Sequence, residues 1–163
     1  RRVAMVDLRA LLQAMGYREV RTLRNSGNVV LENAGGEAPD EVGMRVEAAL
    51  VERLGVSSRV IVLTAEEWAA VVRDNPLLDL ADNPSRLQVA FLADPTDRVS
   101  LAPLLERDWH PEALALGARV AYMWCPDGQS QSTLSNAVGD LLADRVTTRT
   151  WSTVVKLYAL AAT

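Results

Sequence analysis

The sequence predicts an α/β or α+β fold in which helices alternate with short strands in layered halves. Three observations point to it. Several segments repeat apolar residues at helical spacing, several short segments alternate or run apolar as strands do, and clusters of Gly, Asn, Asp and Pro separate them. The two halves resemble each other as βα units, but no internal repeat is strong enough to prove duplication.

The sequence of the first half predicts three helices with extended segments between them. Leu8, Leu11, Leu12 and Met15 recur at helical spacing, and Gly16 follows where a left-handed helix cap is expected. The first two extended segments flank a turn with Gly and Asn, which predicts either a tight hairpin or one kinked strand. After the first helix come extended segments at Val20 to Leu23 and Val29 to Leu31, a helix at Val42 to Leu54, a strand at Val60 to Leu63 and a helix with Trp68, Val71 and Val72.

A domain boundary is predicted at Pro76 to Arg86, which contains two prolines and several Asp and Asn residues. It divides the chain into an N-terminal α/β subdomain at 1–76 and a C-terminal α/β subdomain at 77–163. The second subdomain ends in two helices. Its predicted elements are a strand at Leu87 to Phe91, a broken helix up to Trp109, a hairpin of Ala113 to Leu116 with Arg119 to Cys125, a helix from Ser132 and a last helix with Trp151, Val154, Val155 and Tyr158.

Composition excludes several classes of function. The formal net charge is -4, which disfavours non-specific binding to DNA or to an anionic membrane surface. Lys156 is the only lysine among 17 basic residues, so the preference for arginine indicates compositional bias rather than a basic site. Cys125 and His110 are the only residues of their types, which excludes an intramolecular disulfide and any metal site built on paired His or Cys. No segment approaches the about 20 apolar residues of a membrane span and no signal peptide is recognised, so we expect a cytoplasmic protein.

The stretch from Thr147 to Tyr158 is the strongest candidate for a binding site. It joins a hydroxyl-rich turn to an apolar helix that Thr148 or Thr150 can cap. Arg149 lies where unpaired backbone N–H groups and the positive end of the helix dipole are expected, so the turn could hold a phosphate or a carboxylate. In the alternative interpretation the threonines cap and pack, and Arg149 pairs with a carboxylate of its own chain.

Other polar groups carry weaker signals. The turn at Ser26-Gly27-Asn28 could offer a hydroxyl, an amide and backbone N–H groups to a ligand, or could simply satisfy turn geometry. Ser26 is disfavoured as a nucleophile because nothing places His110 beside it as a base. The carboxylates Glu106, Asp108 and Glu112 are interpreted as a solvated loop, Cys125 as a buried inert thiol, and Tyr122 and Trp124 as core residues.

Three ordered groups of residues resemble the family catalogued as domain of unknown function 1697. They are Val20-Arg21-Thr22 with Ser26-Gly27-Asn28-Val29-Val30, then Pro126-Asp127-Gly128 with Ser132 and Leu134, then Thr147-Thr148-Arg149 with Trp151, Thr153, Val154 and Lys156-Leu157. The resemblance covers essentially the whole chain. It implies an α+β fold of two ferredoxin-like subdomains with mixed or antiparallel sheets, and it implies no established activity.

The sequence departs from the family pattern at three places. Family members usually begin with an apolar strand and a glycine-rich loop just before the position of Arg1, and Thr133 and Thr150 stand where the family usually has Lys and Asn. We therefore expect the chain to lack its natural start. Part of the Val20 to Leu23 or Val60 to Leu63 strand would then lack a partner on one side or be covered by another chain.

The favoured function is a binding module for an anionic small molecule, a nucleotide or an RNA end. Its candidate contacts are Ser26, Asn28, Ser132, Thr148 and Arg149, which we expect to converge near one cleft between the two halves. One alternative is an enzyme that acts on a phosphorylated or carboxylated metabolite, with Arg149 as an electrostatic clamp. Another is a structural or protein-interaction domain with an exposed sheet edge. No cofactor or oligomeric state is assigned.

Overall fold

The computed structural model of the chain describes residues 3–23 and 27–162 and has an α+β fold. The described residues form six α-helices and two antiparallel sheets, joined by loops and short 3-10 turns. In chain order the elements are α1 (Met5–Ala14), β1 (Arg18–Leu23), β2 (Asn28–Glu32), α2 (Pro39–Leu54), α3 (Ala65–Arg73), β3 (Leu87–Leu92), α4 (Arg98–Leu101), β4 (Ala113–Leu116), β5 (Val120–Trp124), α5 (Thr133–Leu142), β6 (Val146–Thr150) and α6 (Trp151–Ala161). The chain divides into two compact units, one of residues 1–65 with 157–163 and one of residues 66–156.

The first unit packs α1 and α2 against a two-stranded hairpin. β1 and β2 are antiparallel, which confirms the hairpin interpretation over a single kinked strand. Gly55 caps the carboxyl end of α2, and its φ of 66° is the left-handed conformation that glycine adopts without strain. The core of this unit consists of Leu8, Leu11, Leu12, Tyr17, Val20, Val42, Val46, Ala49 and Leu50.

The predicted strand at Val60 to Leu63 is wrong, because these residues belong to no helix or strand. Val60 and Val62 still pack against the core of the first unit, which explains the apolar pattern that suggested a strand. A strand also needs a neighbour to exchange hydrogen bonds with. Among residues 3–23 and 27–162, β1 and β2 pair only with each other. Completion of this sheet by a further strand stays a prediction.

The second unit is built on a four-stranded antiparallel sheet in the order β4-β5-β3-β6. The central strands β3 and β5 are buried along their whole length. One face of the sheet packs against α4 and α5 in a core that contains Ala90, Leu92, Leu101, Leu104, Ala121, Met123, Cys125, Leu134, Val138 and Leu142. Side chains alternate along a strand, so Val89 and Phe91 lie on the other face.

Helix α3 packs on this other face. The Trp68 ring stacks on Phe91 with 4.7 Å between ring centroids and 9° between planes. The Tyr122 hydroxyl donates to the Val71 carbonyl oxygen over 2.7 Å. These contacts agree with the place of α3 in the second compact unit, which begins at residue 66. The domain boundary at residues 76–77 stays a prediction.

The hydroxyl-rich segment before the last helix is a strand rather than the predicted turn. Residues 147–150 belong to β6 and pair with β3 in a regular register, from Thr150 opposite Gln88 to Thr147 opposite Phe91. Threonine is β-branched and favours this extended conformation, which the prediction did not weigh. The predicted capping role of Thr150 is confirmed, because its Oγ1 accepts from the Thr153 amide over 3.3 Å.

Candidate functional site

Thr148 and Arg149 lie on β6, an outer strand of the second sheet. Thr148 is opposite Ala90 and therefore shares the face that packs against α5. Arg149 is opposite Val89 and shares the face that packs against α3. Both side chains are half-buried. The two residues are adjacent in sequence, but their side chains emerge on opposite faces of the sheet.

The Arg149 guanidinium reaches a backbone carbonyl of its own strand. Its Nη1 donates to the Thr148 carbonyl oxygen over 3.0 Å. The orientation of the Thr148 carbonyl follows from the β3–β6 ladder. Next to that ladder the Ala93 amide donates to the Arg145 carbonyl oxygen over 2.9 Å, so Ala93 and Arg145, three positions from Thr148, form a hydrogen-bonded pair. Because bonded and non-bonded pairs alternate along an antiparallel ladder, the Thr148 carbonyl points away from β3 toward the outer edge of the sheet. Arg149 thus covers part of that edge.

Burial changes the electrostatics of Arg149. Loss of water around the guanidinium lowers its pKa from the usual value for arginine. The group remains charged at neutral pH, because the pKa of arginine begins so high. A half-buried positive charge with five N–H donors is a suitable partner for a carboxylate or a phosphate.

More backbone N–H groups at the amino end of α6 have hydrogen-bond partners than the sequence suggested. Thr150 Oγ1 lies 3.1 Å from both Ser152 Oγ and Thr153 Oγ1, so three hydroxyls form one cluster. The Thr153 amide donates to Thr150 Oγ1, and the Ser152 amide donates to the Pro84 carbonyl oxygen over 3.4 Å. Two of the amides expected to be open to an anion therefore have protein partners.

Ser132 is the amino-terminal cap of α5 and is only 1% exposed. Its Oγ accepts from the Ser135 amide over 2.9 Å and donates to the Glu112 carboxylate. The other carboxylate oxygen of Glu112 accepts from the Leu134 amide over 3.1 Å. The Ser132 hydroxyl is therefore occupied as both donor and acceptor. The interpretation of Glu112 as part of a solvated loop is wrong, because this half-buried carboxylate fastens the first turn of α5.

Cys125 is a free, buried cysteine, as predicted. Burial raises the pKa of its thiol to about 11. A thiol with so high a pKa holds almost no thiolate at neutral pH, and the thiolate is the reactive form. Cys125 therefore belongs to the core and not to a reactive site.

The candidate residues of the first unit are Ser26 and Asn28. Ser26 lies outside the described residues. Asn28 is the first residue of β2, pairs with Leu23 across the hairpin and is 6% exposed. Its burial at a strand end fits a structural role as well as a contact with a buried ligand.

The candidates of the second unit do not share one face of its sheet. Ser132 begins α5, whose Leu134 and Val138 pack on the face of Ala90. Arg149 occupies the opposite face. The convergence of Ser26, Asn28, Ser132 and Arg149 near one cleft stays a prediction, and the sheet separates Ser132 from Arg149.

Two features of polar residues were not predicted from the sequence: the bond of half-buried Glu112 to Ser132 and the burial of Gln88. Glu112 lies 20 residues before Ser132, so no local spacing could connect them. Gln88 is 3% exposed on β3, opposite Thr150, and its Nε2 donates to the Ser85 carbonyl oxygen over 3.2 Å. Its Oε1 is buried without a hydrogen-bond partner among the described residues. Gln88 is buried because both faces of the sheet are covered along β3.

Within the described ranges, no group of three or more His, Cys, Asp or Glu side chains is arranged to hold a metal ion. None of the helices described is both long and apolar enough to cross a membrane.

Comparisons with known proteins point to one family and one fold. The family model described as "Protein of unknown function (DUF1697)" matches residues 1–122. No curated protein matches the chain. A solved structure, that of the conserved bacterial protein SP0830 from Streptococcus pneumoniae, has a TM-score of 0.78 and 18% sequence identity, covering 98% of this chain and 89% of that chain. At this level of identity the likeness concerns the fold alone.

Proposed function

This chain belongs to the DUF1697 family, whose description names no activity, and we propose from its own geometry that it is a binding module for a small anionic molecule. The proposed contact surface is β6 at Arg149 together with the amino end of α6, where Thr150, Ser152 and Thr153 form the hydroxyl cluster. Thr148 is retained as a proposed contact, although its side chain emerges on the opposite face of the sheet from that of Arg149. A nucleotide or an RNA end presents the matching phosphate chemistry.

The observation that carries this proposal is the burial of the Arg149 guanidinium. Taking a charge away from water costs free energy, and here that cost lowers the pKa of the side chain. A phosphate or carboxylate ligand would form charge-assisted hydrogen bonds with the guanidinium, and such bonds are stronger where water is partly excluded. The same anion would also compete with the Thr148 carbonyl for Nη1 of Arg149.

Electrostatics near the helix support the same ligand class. α6 has 11 residues, and the positive end of its dipole lies directly after β6. The hydroxyls of Thr150, Ser152 and Thr153 can donate to an anion by rotating away from one another. An anion at this helix end would therefore receive hydrogen bonds more readily from these hydroxyls than from the backbone amides, because two of the amides already have partners.

The remaining candidate contacts are Ser26, Asn28 and Ser132, which the family resemblance contributes. We retain Ser26 and Asn28 as proposed ligand contacts from the first unit. Ser132 is the least favourable of the three, because its hydroxyl already serves Ser135 and Glu112.

An enzymatic role for the same surface ranks lower, because no candidate general base accompanies Arg149 in the sequence. We also propose a cytoplasmic location and ferredoxin-like architecture for the halves. The order of elements in the second unit, β3-α4-β4-β5-α5-β6, with strand order β4-β5-β3-β6, supports that architecture.

Thermal denaturation in the presence of phosphate, sulfate, a nucleoside monophosphate or a 5′-phosphorylated RNA oligonucleotide tests the proposal. A ligand at about 100 times its dissociation constant adds roughly 2.7 kcal/mol to the free energy of unfolding. We expect at least one of these anions to raise the Tm of the parent protein.

The matched comparison is Arg149→Ala against Arg98→Ala, because Arg98 is an exposed arginine on α4 of the same unit. The quantity compared is the ligand-induced shift in Tm, which corrects for any loss of stability in the unliganded variant. Arg98→Ala should keep the shift and Arg149→Ala should lose it. A shift of equal size in both variants would exclude Arg149 as the anion contact.

A further inference from the structure

Helix α2 carries an apolar surface on the side that faces solvent. The other side of the helix contributes Val42, Gly43, Val46, Ala49 and Leu50 to buried positions. Met44, Ala48 and Val51 are spaced by four and three residues, so they lie in one row on the outer side. We call this row the α2 stripe.

The exposure of the α2 stripe is unusual for its apolar residue types. Met44 is 70% exposed and Val51 is 55% exposed in the folded chain, and Ala48 between them is also exposed. Single exposed apolar side chains are ordinary on protein surfaces. A row of three at helical spacing, on a helix that already buries its other side, is the pattern of a helix with two contact faces.

Acidic side chains border the α2 stripe on both sides. Glu47 lies three residues after Met44 and four before Val51, which places it along one border. Glu41 and Glu52 lie three residues before Met44 and four after Ala48, which places both along the other border. Arg45 adds little positive charge to that border, because its Nη1 donates to Glu37 Oε1 over 2.6 Å.

We propose that the α2 stripe docks an amphipathic helix of another protein whose apolar face is bordered by Lys or Arg. Such a helix would cover Met44, Ala48 and Val51 while its basic residues meet the glutamates on either side. The unbranched Met44 side chain can adapt to the partner's apolar surface. A second copy of this chain fits less well, because pairing two α2 helices would bring acidic border against acidic border.

The area of the α2 stripe sets the expected affinity of the complex. Three small or medium apolar side chains bury less area than a standard protein interface, so the complex should be transient. Its affinity should also fall as salt is added, because Glu41 and Glu52 are exposed and salt screens exposed charges.

The test uses two synthetic helical peptides of the same length, both with leucine on one face. One peptide has Lys and Arg along the borders of that face, and the other has Glu at the same positions. Fluorescence anisotropy of the labelled peptides measures the dissociation constant with the full chain. The basic peptide should bind and weaken with salt, and the acidic peptide should not bind.

Two variants and one control locate the binding. Met44→Lys and Val51→Lys should each raise the dissociation constant of the basic peptide by about tenfold or more. Val99→Lys is the control, because Val99 is an apolar residue that is 77% exposed in the other unit. Circular dichroism confirms that the variants remain folded.

Three results would overturn the proposal. One is failure of the basic peptide to bind, and another is binding that Met44→Lys and Val51→Lys leave unchanged. The third is a concentration-dependent dimer in analytical ultracentrifugation that Met44→Lys abolishes, which would assign the α2 stripe to a second copy of this chain.

Discussion

The carboxylate of Glu112 accepts a hydrogen bond from the Ser132 hydroxyl at the amino end of α5. The same carboxylate accepts from the Leu134 amide, so one side chain joins the segment before β4 to the first turn of a helix. A negative charge at this end of a helix is also favoured by the helix dipole. The arrangement makes Glu112 and Ser132 a structural pair.

Replacement of Glu112 should therefore destabilise the fold. Glu112→Ala leaves the Leu134 amide without its acceptor and removes the charge, and we expect a loss of about 1–3 kcal/mol in the free energy of unfolding. Glu106→Ala is the control, because Glu106 is an exposed carboxylate in the preceding segment. Urea denaturation measures the free energy of unfolding of both variants. Equal stability of the two variants would show that the Glu112 bonds contribute nothing.

Tyr122 provides a second test of packing in the second unit. Tyr122→Phe retains the ring but leaves the Val71 carbonyl without the hydroxyl donor 2.7 Å away. We expect a loss of about 1–3 kcal/mol in urea denaturation, because the unpaired carbonyl is buried between α3 and the sheet. Tyr158→Phe serves as the control, since Tyr158 is 39% exposed on α6. An undiminished free energy of unfolding in Tyr122→Phe would contradict the role given to this bond in holding α3.

Alkaline pH should weaken the fold through Cys125. Burial raises its pKa from 9.0 to about 11 in the folded chain, so the folded state holds this proton more tightly than the unfolded state does. The stabilisation is complete below pH 9 and is lost as pH rises toward about 11. Cys125→Ala removes the titrating group, so its free energy of unfolding should fall less steeply between those two pH values. Urea denaturation at intervals across the range measures the slopes, and parallel slopes would contradict the assignment.

Loss of the Thr150 cap should loosen α6. Thr150→Ala removes the acceptor of the Thr153 amide, and caps of this kind contribute about 1 kcal/mol. Thr133→Ala is the control, because Thr133 is an exposed threonine in the first turn of α5. If thermal denaturation gives both variants the same Tm, Thr150 does not stabilise α6 as a cap.

The sequence predicted the features that depend on local pattern. The helical stripe of Leu8, Leu11 and Leu12, the helix start at Ser132 and the α+β class all follow from spacing and residue type. Features that depend on distant residues were missed. The Glu112–Ser132 hydrogen bond joins residues 20 positions apart, and no local sequence pattern near either residue predicts it. Val60 to Leu63 has the composition of a strand, but a strand also requires a neighbour that local pattern does not reveal.

The candidate site shows the same division. The sequence located a helix start next to Arg149, and the structure has α6 begin at Trp151. Spacing could not reveal that Thr147 to Thr150 pair with β3, so the side chains of Thr148 and Arg149 were expected on one turn and lie on opposite faces of a sheet. The sequence did predict that Thr150 can accept from an amide of α6, but it could not reveal that the Pro84 carbonyl oxygen accepts from another.

Isothermal titration calorimetry of a nucleoside monophosphate into the parent protein and into Arg149→Lys measures how far the Arg149 guanidinium contributes to phosphate binding. Lysine keeps the positive charge but loses the planar fork that binds a phosphate through two parallel hydrogen bonds. We expect measurable binding to the parent and a dissociation constant raised by about tenfold or more in Arg149→Lys. Equal dissociation constants for the two proteins would show that Arg149 does not bind the phosphate.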